Sequence, residues 1–412
     1  MPVVPDSLAE PTVSAYTIVN QETRDMSAST LDEITAAAGA RTVEIAGIPT
    51  VCDYGDPKAE YHHALNAAGI YDARSRGLLE ITGNDRASWL HNLLTNAVKT
   101  LGPGEGNYAF ATNVKGRILF DGNVIVLADR IWFDIDRRYV AKALAHFERY
   151  IITEDVRVTD RSDEFRRIAL LGPRAADIAA ALGARQAGSM ASIGSTTVQL
   201  AGGPRLLVRH DFAGVLGLEF YVEAEDAAAC WSQLLATGGP ELRPVGQTAV
   251  DILRIEAGIP VYGQDIDEET LPAETQQIER AVSYVKGCYL GQEIVERMRS
   301  RGGLARKLVG LRFSGSGGAQ PGCALFAAST TDRDRDANTS PDVPSSPPAS
   351  VGRVTSVCES YVVGGTIGLG YVKVAYANPG TVLPVESTTD TRAEVVPLPF
   401  RRVILGTPDE AG

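Results

Sequence analysis

The residues best placed to do chemistry fall in one short stretch, Lys286-Gly287-Cys288-Tyr289-Leu290-Gly291-Gln292-Glu293, which runs into Ile294-Val295-Glu296-Arg297. Glycines flank the cysteine at short range and permit backbone geometries that bulkier residues resist, so the thiol is expected on a tight turn. Good helix formers follow from Gln292. A thiol ahead of a helix N-terminus, with Lys286 before it and Arg297 after it, meets a positive environment that favours thiolate, the nucleophilic and metal-binding form. Clusters of iron and sulfur take several cysteine ligands, so Cys288 alone could be only a transient ligand, sharing a cluster with a partner or a second copy. Asp121 is the second candidate, an acid in the otherwise apolar run Ile118 to Val126. Burying an unpaired charge is costly, so this carboxylate requires a partner. A basic run, Arg297, Arg299, Arg301, Arg306 and Lys307, is broken by Gly302-Gly303. It can attract an anionic partner or offset the C-terminal dipole of a helix.

These residues need elements to position them. Leu78 to Ile81 reads as a short strand, followed by a turn at Gly83-Asn84-Asp85 and a helix from Arg86 to Leu94 with one apolar face. After the helix-stopping loop Gly102 to Gly106, Tyr108 to Thr112 and Arg117 to Leu127 read as two strands joined at Asn113 to Gly116. The pattern recurs: Phe165 to Leu171, an Ala-rich helix, a strand pair at Arg205 to Arg209 and Leu218 to Val222, then a helix over Ala224 to Thr237. Two related α+β units are therefore expected, with a separate β-rich tail from Lys307. The expected division is an N-terminal extension, partly disordered, over 1–44; the two units over 45–306; and a β-barrel over 307–412 with a mobile insert at 327–350. Within the extension a helix fits Thr30 to Ala38, and the insert is dense in Ser, Pro, Asp and Thr.

At 412 residues, 44% apolar and 22% charged, the chain can bury a core without staples. A net charge of -12 argues against direct nucleic-acid binding. No apolar run is long enough to span a bilayer and no signal-peptide layout opens the chain, which points to a cytoplasmic protein. Its five cysteines are scattered and never form C-x-x-C, which suits a reducing compartment and offers no intrinsic zinc or complete cluster site.

The segment Lys-Gly-Cys-Tyr-x-Gly-Gln-Glu, with Arg297 four positions beyond Glu293, resembles the signature of the YgfZ family. Leu253 to Pro260, Tyr262 to Asp267 and Thr270 to Glu274 are similar to that family too, and weaker similarity runs from about Ile45 to Leu405. The resemblance implies the aminomethyltransferase fold: two sheet-and-helix units around a central folate pocket, plus a C-terminal β-barrel. It implies tetrahydrofolate or a derivative as cofactor, and a role in assembly or repair of iron-sulfur clusters in client enzymes, with tRNA modification as an indirect link. Iron-sulfur client enzymes or assembly proteins would then be partners. In the resemblance, Asn113 to Asp121 matches a strand turn ending in a paired Asp-Asp, whose second acid, Asp121, faces the pteridine. Phe120 replaces the first. Tyr108 matches a tyrosine lining the folate pocket, and Glu219 a glutamate that binds the amino-pyrimidine edge through parallel hydrogen bonds. The basic run could serve a folate polyglutamate tail.

Departures bear on the reaction. Where aminomethyltransferases carry Tyr-Thr-Gly-Glu this chain reads Phe212-Ala213-Gly214-Val215, and Val250 stands where they place an arginine. Asn96-Ala97 replaces the usual Asn-Asp. The alternatives to the iron-sulfur role are a folate-dependent aminomethyltransferase or demethylase, and a module that binds tRNA or protein through the basic run.

Overall fold

The computed structural model describes residues 30–315, 318–328, 349–386 and 390–401. Most of the expected insert at 327–350, and the extension as far as residue 29, lie outside the described residues. From Arg76 onward one motif is used twice. In the first unit, strand Arg76–Thr82, helix Arg86–Leu93, strands Gly106–Thr112, Ile118–Val126 and Ile131–Asp136, helix Val140–Glu148 and strand Arg157–Asp160 follow one another. The second repeats this order with strand Phe165–Leu171, helix Ala175–Ala181, strands Ser195–Leu200, Gly203–Arg209 and Gly217–Glu223, helix Ala227–Gly238 and strand Leu242–Pro244.

Sheet order repeats as well. In each unit the three middle strands are followed by the first and then the last, giving a five-stranded antiparallel sheet in the first unit. The second unit admits a sixth strand, Ala68–Asp72, between its first and last. A third sheet of six strands, from Arg306–Ser314 to Arg392–Val396, all but closes: its edge strands meet through the bridge between Leu325 and Val385. The fold is thus α+β with a near-closed C-terminal barrel.

Strand alternation decides what each sheet face carries. Phe120, Val124 and Val126 pack with the helices of the first unit, while Leu218, Phe220 and Val222 do the same in the second. The intervening residues therefore turn inward, and Leu78, Ile125, Trp132, Val208 and Tyr221 form an apolar patch drawn from both sheets. The same alternation puts Asp121, Asn123, Asp134 and Glu219 on the faces that look away from their own helices, where all four are buried. Among the described residues no helix is long and apolar enough to cross a membrane.

Candidate functional site

Asp121 is buried in strand Ile118–Val126, and its Oδ2 accepts a 2.6 Å hydrogen bond from the Tyr108 hydroxyl on the neighbouring strand. This is the partner that an acid in an apolar strand requires, and it is neutral. Burial pushes the Asp121 carboxyl above the ordinary carboxylate range, against the opposing pull of the Tyr108 hydroxyl, Arg76 and Arg280. The Tyr108 phenol is pushed up in turn by burial and by Asp121. Its ring lies under the Arg280 guanidinium, 4.2 Å from the ring centroid.

Glu219, 2% exposed, stands in strand Gly217–Glu223 of the other sheet. Its Oε2 lies 3.2 Å from His210 Nδ1 and 3.8 Å from an Arg167 nitrogen. Arg167 also pairs with Asp134 and donates to the Tyr221 hydroxyl at 3.1 Å. Asp134 further accepts from Arg76 and from the Asn123 side chain, each at 2.8 Å. The Asp134 carboxyl is held down at about 2 despite its burial, because Arg167 and Arg76 stand beside it. Each unit thus contributes an arginine from its first strand and a carboxylate from its last middle strand. Glu219 Oε1 carries no hydrogen bond among the described residues, and Asn123 Oδ1 and Arg167 Nη2 are buried without partners. Such groups are costly to leave unmade and are commonly satisfied by a ligand or an ordered water.

Asp134, His210 and Glu219 hold ligand-type atoms within 4.8 Å of one another. Guanidinium groups already neutralise the two carboxylates, so this is a charge network in which a cation would meet Arg76 and Arg167. The five cysteines do not converge: all are free thiols, and Cys288 is exposed while Cys230 is buried.

The signature stretch is arranged differently from expectation in two respects. Lys286 makes its hydrogen bonds away from Cys288. Its ammonium donates to the carbonyls of His91 and Leu94, at the C-terminus of helix Arg86–Leu93, and burial pulls it down to about 8. Orphaned last-turn carbonyls are strong acceptors, and sequence adjacency does not choose a side chain's direction. Arg297 pairs with Glu293 at 3.2 Å on the exposed face of helix Gln292–Arg301. The turn itself is as expected: Gly287 and Gly291 have φ of +94° and +83°, Tyr289 is buried in the first unit's core, and Gln292 opens the helix. Gly291 is fixed by contact, since a Cβ there would lie 2.4 Å from the Asn113 carbonyl oxygen. Asn113 shapes that hairpin. Its side-chain oxygen accepts from the amides of Lys115 and Arg117 at 2.8 and 3.2 Å, so it holds the turn.

In the basic run, Arg306 pairs with Glu274 at 3.2 Å and Arg299 stacks over Tyr284, 4.0 Å from its centroid. With Arg297 paired to Glu293, three cations of the run are engaged within the chain. Nothing in the sequence around Arg280 marks it out. It sits in the short helix Ile278–Ala281, and only the fold brings it to Tyr108.

Comparison with known proteins gives the same frame. Residues 31–286 match the GCVT N-terminal domain family, and residues 306–401 match the glycine cleavage T-protein C-terminal barrel domain. The chain is 30% identical over 369 residues to an aminomethyltransferase of Rubrobacter xylanophilus, covering 89% of this chain and 92% of that one. It is 28% identical over 367 residues to an aminomethyltransferase of Bacillus subtilis, covering 88% and 95%. The crystal structure of the glycine cleavage system aminomethyltransferase T from Bartonella henselae superposes with a TM-score of 0.77 at 24% identity, covering 90% of this chain and 97% of that one. The matched domains leave 287–305, which holds Cys288 and the signature helix, between them.

Proposed function

The chain belongs to the glycine cleavage T-protein family, and on that premise we propose that it binds a reduced folate between its two sheet units, with the one-carbon end against Asp121. The observation that carries this reading is the pair of buried carboxylates, Asp121 and Glu219, one from each unit and in opposite surroundings. Glu219, beside Arg167 and His210 with Oε1 open, accepts the parallel N–H donors of an amino-pyrimidine edge. Asp121, with a raised proton affinity, takes and returns a proton at a reacting nitrogen. Tyr108 holds that carboxylate in place and offers a ring face. Tetrahydrofolate, when bound, supplies the nitrogen that carries the one-carbon unit.

The relatives' name favours aminomethyl transfer as the reaction this site serves. A second reading, a YgfZ-type role in assembly or repair of iron-sulfur clusters in client enzymes, is favoured by two observations. Val215 and Val250 stand where transferases carry polar groups, and both are buried in one apolar cluster with Tyr71 and Ala213. Cys288 is exposed on its turn, outside both matched domains. On this reading tRNA modification is supported only through cluster-dependent enzymes, and cluster and client are partners rather than resident groups.

Substituting the protein for the aminomethyltransferase in a reconstituted glycine cleavage system tests the two readings together. Folate-dependent turnover at a comparable rate, lost in Asp121→Asn, supports transfer. Absence of turnover, with client-enzyme activity in cells lost in Cys288→Ala, supports the second reading. A Cys288→Ala variant that sustains every client enzyme removes it.

A further inference from the structure

One cation beside the site is left without an anion. Arg76 and Arg167 pair with Asp134, Arg138 with Asp136 and Arg209 with Asp211. Arg280 forms no ion pair among the described residues. Its Nε donates to Gln277 Oε1 at 2.6 Å, and its guanidinium carbon stands over the Tyr108 ring, 4.2 Å from the centroid. Those two contacts hold the guanidinium in place and leave its terminal N–H groups to take an oxygen pair. The backbone is held too: the Asn96 amide donates at 2.9 Å to both the Tyr108 and the Arg280 carbonyls, tying the arginine to the strand that carries the tyrosine. Asp121 is close enough to be influenced by Arg280, yet it takes its hydrogen bond from Tyr108 instead.

We propose that Arg280 is a carboxylate-recognition subsite of the Asp121 site, its preoriented fork receiving a carboxylate of the bound ligand. The inference rests on the folate reading and deepens it. A planar carboxylate matches the guanidinium fork in a way that a spherical ion does not. Two sources present one: the glutamyl tail of the folate itself, and a small amino-acid-like molecule that gives or takes the one-carbon unit. Arg280 is half-buried and belongs to a single turn of helix, so its replacement leaves the sheet hydrogen bonds intact.

The test uses the full chain, wild type and Arg280→Gln, titrated with tetrahydrofolate and with 6-methyltetrahydropterin, which lacks the tail, while melting temperature reports folding. Tetrahydrofolate binding weakened about tenfold or more, with methyltetrahydropterin binding unchanged, assigns Arg280 to the tail. Equal binding of both pterins by the two proteins, with glycine or sarcosine captured only by folate-loaded wild type, assigns it to a small carboxylate. Loss of both pterins to the same degree would make Arg280 a support for Tyr108 and overturn the subsite, as would unchanged binding of every ligand. Wild type that binds neither pterin overturns the folate reading itself.

Discussion

The two units repeat one motif yet treat their buried acids in opposite ways. In the first, Asp121 is taken out of water with a neutral hydroxyl as its hydrogen-bond partner, and its proton affinity rises. In the second, Glu219 is set beside a guanidinium and an imidazole within a network that also clamps Asp134. A duplicated scaffold thus sets one buried carboxylate against a neutral hydroxyl and the other beside a guanidinium and an imidazole. Environment, rather than residue type, sets the two apart.

Amide replacements break the comparison most sharply. In an assay that supports one-carbon turnover, Asp121→Asn keeps the shape and removes the base. We expect kcat to fall about 10²- to 10⁴-fold with KM little changed, as for loss of a general base. A fall in affinity with kcat preserved would make Asp121 a binding group.

The next effect is on stability. Glu219→Gln removes the charge that faces Arg167 and His210. Partners of a buried carboxylate lose charged hydrogen bonds worth ~1.5–3 kcal/mol, so the variant should be less stable by about 1–3 kcal/mol in urea unfolding. A variant as stable as wild type would show that the network is already neutralised without Glu219.

Asp121→Asn should act in the opposite direction, and by less. Because the folded carboxyl binds its proton more tightly than the unfolded one, stability falls as pH rises from the unfolded value through the folded one. Removing the charge should raise stability by about 1 kcal/mol or less at pH 7.5, and the gain should fade below about pH 4, where both states are protonated. Thermal melting at several pH values checks this, and a destabilised Asp121→Asn at neutral pH would contradict it.

Much of this was legible in the chain. Ile118 to Val126 and Leu78 to Ile81 show strand patterning, and the second copy of the motif follows from Phe165. The strand Ala68–Asp72 was not, because every residue is buried and no alternation marks it. Asp121 was legible because an acid among apolar residues has a physical cost. The network around Asp134 was not, since Arg76 and Arg167 reach it from strands distant in sequence. Lys286 shows the converse: a neighbour in sequence whose side chain is claimed by helix carbonyls 192 and 195 residues away. Arg280 had no signal at all, because an arginine in one helical turn is ordinary until the fold sets it over Tyr108.

The central claim is that a reduced folate spans the two units, and calorimetric titration with tetrahydrofolate tests it most directly. Wild type should bind at one saturable site. The double variant Asp121→Asn, Glu219→Gln should bind about 30-fold more weakly or worse, equivalent to ~2 kcal/mol. No binding by wild type, or equal binding by both proteins, would contradict the account.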